Sequence, residues 1–420
     1  MKGFKVVEHQ IPTQHIREYT QATANTQEDV LYLQAKQYIP LSNPHPQRGD
    51  VTILAAHANA LAKELYEPLW EDLLAQCERY RWRIRSIWIT DVAHQGQSGV
   101  LNEHLLGNEP SWHDHVRDLL FMVNLKRTEM PRPIIGIGHS MGGNQLTHLS
   151  LMHPRLFSSL ILLDPVIQER SAEIDPSPNA PPNLAQLSTF RRDLWPSRDD
   201  AAASFARSAF YKPWDPRVLE KWTQYGLRNG PTLLQPEAKS PQVTLTSTPG
   251  QEVFTYLRPN FQGFGVNGKP VDRSTHADLD PSRPNQYPFY RNEAPQIYAR
   301  LPEVRPSVLY VFGSTSGVSS EKSDQAKVDR TGTGVGGSGG VAEGRVKGVT
   351  FEGVGHLIPM EAVEKTASTV ADWVGTEMVR FRDEMEVWDA WQSKSLVQKQ
   401  GIDETWKKMI GGRPRRAGKL

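Results

Sequence analysis

One cysteine, Cys77, stands in a chain of 420 residues. No internal disulfide can form, which fits a reducing or peroxisomal interior better than secretion. No apolar run is long enough to span a bilayer. Met1-Lys2-Gly3-Phe4-Lys5 lacks the apolar stretch of a secretory signal. Neither charge is in excess: 48 basic and 47 acidic residues leave a net +1, so nothing global points to nucleic acid or a membrane surface. Gly332-Thr333-Gly334-Val335-Gly336-Gly337-Ser338-Gly339-Gly340 is rich in glycine but lacks the Lys-Ser/Thr ending of a phosphate loop. It reads as a flexible loop, not a nucleotide cradle. No cofactor and no metal are expected. What the chain does hold is 38% hydrophobic residues, enough for a sizeable core, and a length suited to a large α/β core carrying an insertion.

One stretch organises the rest. Ile134, Ile135 and Ile137 form a short apolar run that ends in Gly138-His139-Ser140-Met141-Gly142-Gly143, and an amphipathic segment with Leu146, Leu149, Leu151 and Met152 follows. Strand, sharp turn and helix are the context of a nucleophile elbow. Ser140 must hold strained backbone angles for its hydroxyl to leave the sheet, and its flanking positions must be small because strand and helix come very close. The N–H of Met141 then opens the helix and can face a developing oxyanion.

Residues 4–12 and 28–39 alternate as an antiparallel pair at a sheet edge. Val51–Ala56 reads as a central strand running into His57-Ala58-Asn59-Ala60, where Ala58 or Asn59 is the expected second oxyanion donor and His57 a structural histidine. A helix is expected over 64–79, with Pro68 tolerable in its first turn. Ile84–Ile89 is the next strand, and Asp91 to Ser98 shape the loop after it. Trp112 to Lys126 is a helix capped by its Trp112-His113-Asp114 start. Leu160-Ile161-Leu162-Leu163 forms a buried strand ending in Asp164-Pro165. Asp164 reads either as the acid of a Ser/acid/His set or as a turn residue before proline. The other position for such an acid follows Val308–Gly313, where Ser314-Thr315-Ser316-Gly317 stands instead; Glu321, Asp324 and Asp329 are outside candidates. After the last strand, Val346–Phe351, comes Gly355-His356, placed to act as general base in the order Ser…Asp…His. Helices are expected near 361–380 and 382–410, the second amphipathic with Trp388, Trp391 and Trp406.

Residues 166–303 break the strand–helix alternation. They are rich in proline (Pro176, Pro178, Pro181, Pro182) and aromatics (Trp195, Phe205, Phe210, Tyr211, Trp214, Trp222, Tyr225, Phe254, Tyr256, Phe261, Phe264). This is a lid, inserted between a first core part at 1–165 and a second at 304–420. Its aromatics either line a large apolar pocket or form the lid's own small core. Arg191, Arg192, Arg198, Arg207, Lys212 and Arg217 either meet a phosphate-bearing substrate or are solvated surface. The chain ends in Gly418-Lys419-Leu420, one residue from the peroxisomal address Ser-Lys-Leu.

The elbow, Leu156-Phe157 with the strand leading to Asp164-Pro165-Val166, and Gly355-His356 together resemble the fungal peroxisomal α/β-hydrolases. Both core halves match this pattern. His57-Ala58 departs from the family's usual His-Gly pair, although alanine is small enough to serve. The aspartate after Leu163, the chain length and the Gly-Lys-Leu end are most like the acyl-CoA hydrolases of mycophenolic acid biosynthesis in Penicillium. The resemblance implies an α/β-hydrolase fold, a mostly parallel sheet flanked by helices and covered by a lid, with Ser140, Asp164 and His356 as its triad. It also implies an acyl-CoA substrate, mycophenolyl-CoA in particular, and peroxisomal import through a receptor reading the C-terminal tripeptide. A homodimer is compatible with the sequence. Two other readings stand: a carboxylesterase or lipase of oxygen esters, and a non-catalytic ligand-binding protein on a hydrolase scaffold.

Overall fold

The computed structural model describes residues 1–170, 183–283, 286–318 and 320–412. Pro176, Pro178, Pro181 and Pro182 of the expected lid, and the Gly418-Lys419-Leu420 end, lie outside them. One eight-stranded sheet carries the fold. Its strands are β1 (Phe4–Pro12), β2 (Tyr32–Pro40), β3 (Val51–Ala56), β4 (Ile84–Thr90), β5 (Ile134–His139) and β6 (Ser159–Leu163), then Ser307–Gly313 and Val346–Phe351. Across the sheet they lie in the order β1-β2-β4-β3-β5-β6, followed by the two late strands. The β1–β2 and β2–β4 pairs are antiparallel, and every pairing from β4 onward is parallel.

The sequence patterns follow from this arrangement. Helices cover both faces of the parallel strands, so β3, β5, β6 and Ser307–Gly313 are buried at every residue and read as continuous apolar runs. On one face Leu65, Leu69, Trp70 and Leu73 pack with Val370, Val374 and Met378; on the other Val116, Leu119 and Met122 pack with Leu146 and Leu149. Each such side chain contributes about 1.5–3 kcal/mol by leaving water.

Three local expectations change. The 64–79 helix is a 3-10 turn, Lys63–Tyr66, feeding an α-helix, Glu67–Cys77, with Pro68 in its first turn. Helix Trp112–Leu125 is capped one residue earlier than its start, because the Ser111 hydroxyl accepts the His113 N–H at 3.2 Å. The two C-terminal helices are instead one long helix, Val363–Gln392, and two short ones, Leu396–Gln400 and Glu404–Met409. Nothing at 379–382 stops a helix, and Met378 and Phe381 continue its buried stripe. Trp391 and Trp406 are exposed. Among the described residues no helix is long and apolar enough to cross a membrane.

The 166–303 stretch carries helices Arg198–Arg207, Pro216–Tyr225 and Pro249–Tyr256, and a two- and a three-stranded sheet of its own. Trp195, Phe205, Tyr211, Trp214 and Trp222 stack on one another with ring centroids 5.0–6.2 Å apart. These five are buried and continuous with the cluster of Leu65, Leu69 and Trp70. Helix Glu293–Arg300, at its end, packs on the helix after β5 and sends Ile297 into the main core.

That helix, Met141–Met152, also presses on β3. A Cβ on Gly142 would lie 2.2 Å from the Ala56 oxygen and 2.8 Å from the His57 oxygen. Gly142→Ala is expected to force helix and strand apart and to lower stability by about 1–3 kcal/mol or more, read as a lower urea midpoint at unchanged far-UV signal.

Candidate active site

Strand register brings the site together. Ala56 pairs with Gly138, His139 with Leu163, and Leu163 with Val311. The residues just past β3, β5 and β6 (His57, Ser140 and Asp164) therefore emerge at one edge of the sheet. Ser140 sits at φ 55°, ψ −117°, a conformation costing a non-glycine residue about 1–3 kcal/mol. Its N–H donates to Leu163 O at 2.9 Å and its carbonyl accepts from Val166 at 3.0 Å, so both sides of the turn are pinned to the neighbouring strand.

The imidazole of His356 spans the gap between the other two. Its Nε2 is 2.9 Å from Ser140 Oγ and its Nδ1 is 2.6 Å from Asp164 Oδ2. Ser140 and Asp164 are buried, while the His356 side chain is 20% exposed. The outside candidates Glu321, Asp324 and Asp329 ride on helix Glu321–Arg330, where Asp324 pairs with Lys327 at 2.9 Å. The loop of His356 is clamped by Glu361, whose carboxylate accepts from Gly355 N–H at 2.7 Å and from Leu357 N–H at 3.3 Å.

Ser316 escaped the sequence reading. Its hydroxyl donates to Asp164 Oδ2 at 2.5 Å. It lies in the Ser-Thr-Ser run at the vacant acid position, so its signal was that vacancy: a donor stands where a carboxylate would otherwise have been.

Three backbone N–H groups are the expected candidates for an oxyanion: those of Met141, Ala58 and Asn59. Met141 is the first residue of its helix, so its N–H has no intrahelical acceptor. On the β3 side, Ala58 N–H donates to the Tyr66 hydroxyl at 2.9 Å, whereas Asn59 N–H meets no acceptor among the described residues. Of the two donors the sequence left open, Asn59 is the free one. Its side chain is held from both ends: Gln95 donates to Oδ1 at 2.5 Å, and Nδ2 donates to Glu252 O of the insertion at 3.0 Å.

The Ala58–Tyr66 bond begins a buried chain. With its oxygen accepting from Ala58, Tyr66 donates to His139 Nδ1 at 2.9 Å, and His139 Nε2–H donates to the carbonyl of His356 at 3.0 Å. The donor sequence assigns the His139 tautomer. It ties the oxyanion loop to the loop of His356 through the residue preceding Ser140. His57 is structural, as expected: Nε2 accepts Val92 N–H at 2.9 Å and Nδ1 donates to Ala58 O at 2.7 Å. Asp91 and Ser98 shape their loop, Asp91 pairing with buried Lys63 at 2.7 Å and Ser98 donating to Asp91 O. Among the described residues no three His, Cys, Asp or Glu side chains are placed to hold a metal ion.

With this geometry in hand, the chain was compared with known proteins. A family model described as the alpha/beta hydrolase family matches residues 53–369. The chain is 38% identical to a protein named type I acyl-CoA thioesterase mpaH from Penicillium brevicompactum, covering 99% of this chain and 98% of that one. It is also 38% identical to the protein of the same name from Penicillium roqueforti, covering 99% and 97%. Among solved structures, the peroxisomal α/β-hydrolase of Saccharomyces cerevisiae superimposes with a TM-score of 0.65 at 17% identity, over 98% of this chain and 96% of that one.

Burial drives several imidazoles to the neutral form. His139 is pushed down to about 3 by burial and by neighbouring His356. Burial also lowers His57, against the pull of Asp91, and lowers His115 well below the usual range. Unfolded, each takes up a proton below about pH 6.5; folded, it does not. For His139 and His115 the contribution to stability is whole above that pH and is lost as pH falls, at about 1.4 kcal/mol per pH unit each. Urea midpoints should be flat near neutrality and drop between pH 6 and 4. His139→Gln should make that slope shallower by one histidine's share; an unaltered slope would show that His139 is not neutral in the fold.

Proposed function

The chain belongs to the alpha/beta hydrolase family, and on that footing we propose that it is a serine-dependent acyl-CoA thioesterase. The observation that carries the chemistry is the unbroken line Ser140 Oγ–His356 Nε2 at 2.9 Å and His356 Nδ1–Asp164 Oδ2 at 2.6 Å. What supports a thioester over an oxygen ester is likeness along nearly the whole chain to relatives that bear the thioesterase name.

The reaction follows from the geometry. A serine hydroxyl is a poor nucleophile at its own pKa. His356 Nε2 takes the proton as Ser140 Oγ attacks the thioester carbonyl carbon. Asp164 holds the imidazole with its proton on Nδ1 and stabilises the imidazolium that forms. The carbonyl oxygen becomes an oxyanion between Met141 N–H and Asn59 N–H, and loss of one such donor costs about 3–4 kcal/mol. The carbon–sulfur bond then breaks, and the CoA sulfur leaves with the proton held by His356. Water, deprotonated by the same nitrogen, attacks the acyl-serine and releases the free acid, returning the proton to Ser140.

The acyl part is proposed to be bulky and aromatic or prenylated, with mycophenolyl-CoA, giving mycophenolic acid and CoA, as the specific candidate from the resemblance. The stretch 166–303 serves as the lid over this site. Gly418-Lys419-Leu420 directs the enzyme through the import receptor to the peroxisome matrix.

Thiol release from a panel of acyl-CoAs, run beside nitrophenyl esters, tests the reaction class. A higher kcat/KM on the oxygen esters would overturn the thioesterase reading. Ser140→Ala should remove turnover by on the order of 10⁴-fold or more while the protein stays folded. Asp164→Asn should lower kcat by about 10³–10⁴-fold through the wrong imidazole tautomer. Near-wild-type rates in either variant would remove that residue from the mechanism.

A further inference from the structure

Of the six cationic side chains that the sequence singled out in the insertion, four are engaged by neighbouring groups. Arg191 pairs with Glu252 at 2.7 Å, and Arg217 pairs with Asp72 and Asp215 at 2.7 and 2.8 Å. Arg198 donates to the carbonyls of Thr223, Gln224 and Leu227, and Arg192 to that of Leu194. Arg207 and Lys212 are left: both are exposed, with no carboxylate partner among the described residues. Between them Phe210 is 59% exposed. It is held from beneath, 4.9 Å from the Tyr211 ring and 5.9 Å from that of Trp214.

This turn is linked to the two loops on either side of Ser140. Asp215 N–H donates to Met360 O at 2.8 Å, which ties it to the loop of His356. Tyr211 meets Arg191, Arg191 pairs with Glu252, and the Glu252 carbonyl accepts the Asn59 side chain at 3.0 Å, which ties it to the oxyanion loop. Ser140 lies between those loops. An exposed ring flanked by two cations without carboxylate partners, on a turn linked to both loops, matches a purine base carrying phosphates.

We propose that Arg207, Phe210 and Lys212 form the docking edge for the phosphorylated adenosine end of the substrate, the base on Phe210 and the phosphates on the two cations. The assignment rests on the acyl-CoA reading above and adds where the nucleotide lies. Nucleotide contact here anchors the substrate while its thioester, at the far end of the pantetheine arm, reaches Ser140.

The test pairs one aromatic acyl group on two thiols: benzoyl-CoA and the benzoyl thioester of N-acetylcysteamine, which lacks the nucleotide. For Arg207→Glu/Lys212→Glu, KM for benzoyl-CoA should rise about tenfold, and for Phe210→Ala several-fold, with less salt dependence of KM in the double variant than in wild type. The short thioester should be hydrolysed by both variants as by wild type. An unchanged KM for benzoyl-CoA in both variants overturns the docking edge, and so does an equal loss on both substrates. Wild-type hydrolysis of neither thioester overturns the edge and the thioesterase reading together, whereas loss of the edge alone leaves that reading standing.

Discussion

The contact between Gly142 and the end of β3 is the constraint on which this molecule turns. Only a residue without a Cβ lets the helix come within 2.2 Å, measured to where that Cβ would be, of the Ala56 carbonyl. That approach sets helix Met141–Met152 directly above β3, so the chain must reverse within the single residue Ser140, at φ 55°. The strain is tolerated because parallel strands buried on both faces hold each side of the turn. The placement of Oγ against His356 and the free Met141 N–H are both consequences of that tight turn.

A second layer of order joins parts of the chain that sequence keeps far apart. The Ala58–Tyr66–His139–His356 line runs through buried, neutral groups, each donating to the next. A neutral His139 is what allows it: a protonated ring would have no acceptor to offer Tyr66. The insertion takes part as well, because its Glu252 carbonyl holds the Asn59 side chain. The stretch proposed as a lid thus helps set the oxyanion loop, and its polar anchorage explains why most of its arginines are unavailable to a substrate. Its aromatics pack on one another instead, with Phe210 at the exposed edge of that cluster.

Much of the fold was legible because its strands obey strong rules. Runs such as Leu160–Leu163 are apolar throughout because no face of them meets water, and the glycines of the elbow mark close approach. His356 could be read because glycines and a proline frame it after the last strand. Other features left weaker marks. Ser316 resembles any loop serine until Asp164 is found 2.5 Å away. Tyr66 and His139 look like ordinary core residues, since the hydrogen bonds that distinguish them cross 73 and 217 positions of chain. Helix Val363–Gln392 was read as two, because its single buried stripe is visible only against the helix Glu67–Cys77 that covers it.

By itself the sequence pointed to the elbow at Ser140, to His356 after the last strand and to a long insertion, since these are written in local spacing and in side-chain types the chemistry requires; it left Asp164 open between acid and turn residue. Tertiary structure decided which groups meet. It matched Asp164 to His356 over the acids of Glu321–Arg330, took Ala58 N–H for Tyr66 and left that of Asn59 free, and paired Arg191 and Arg217 with carboxylates while leaving Arg207 and Lys212 without one. The reason is physical: a hydrogen bond or ion pair depends on distance and direction within a few tenths of an ångström, and only strand register and packing bring residues that far apart in the chain to such a separation.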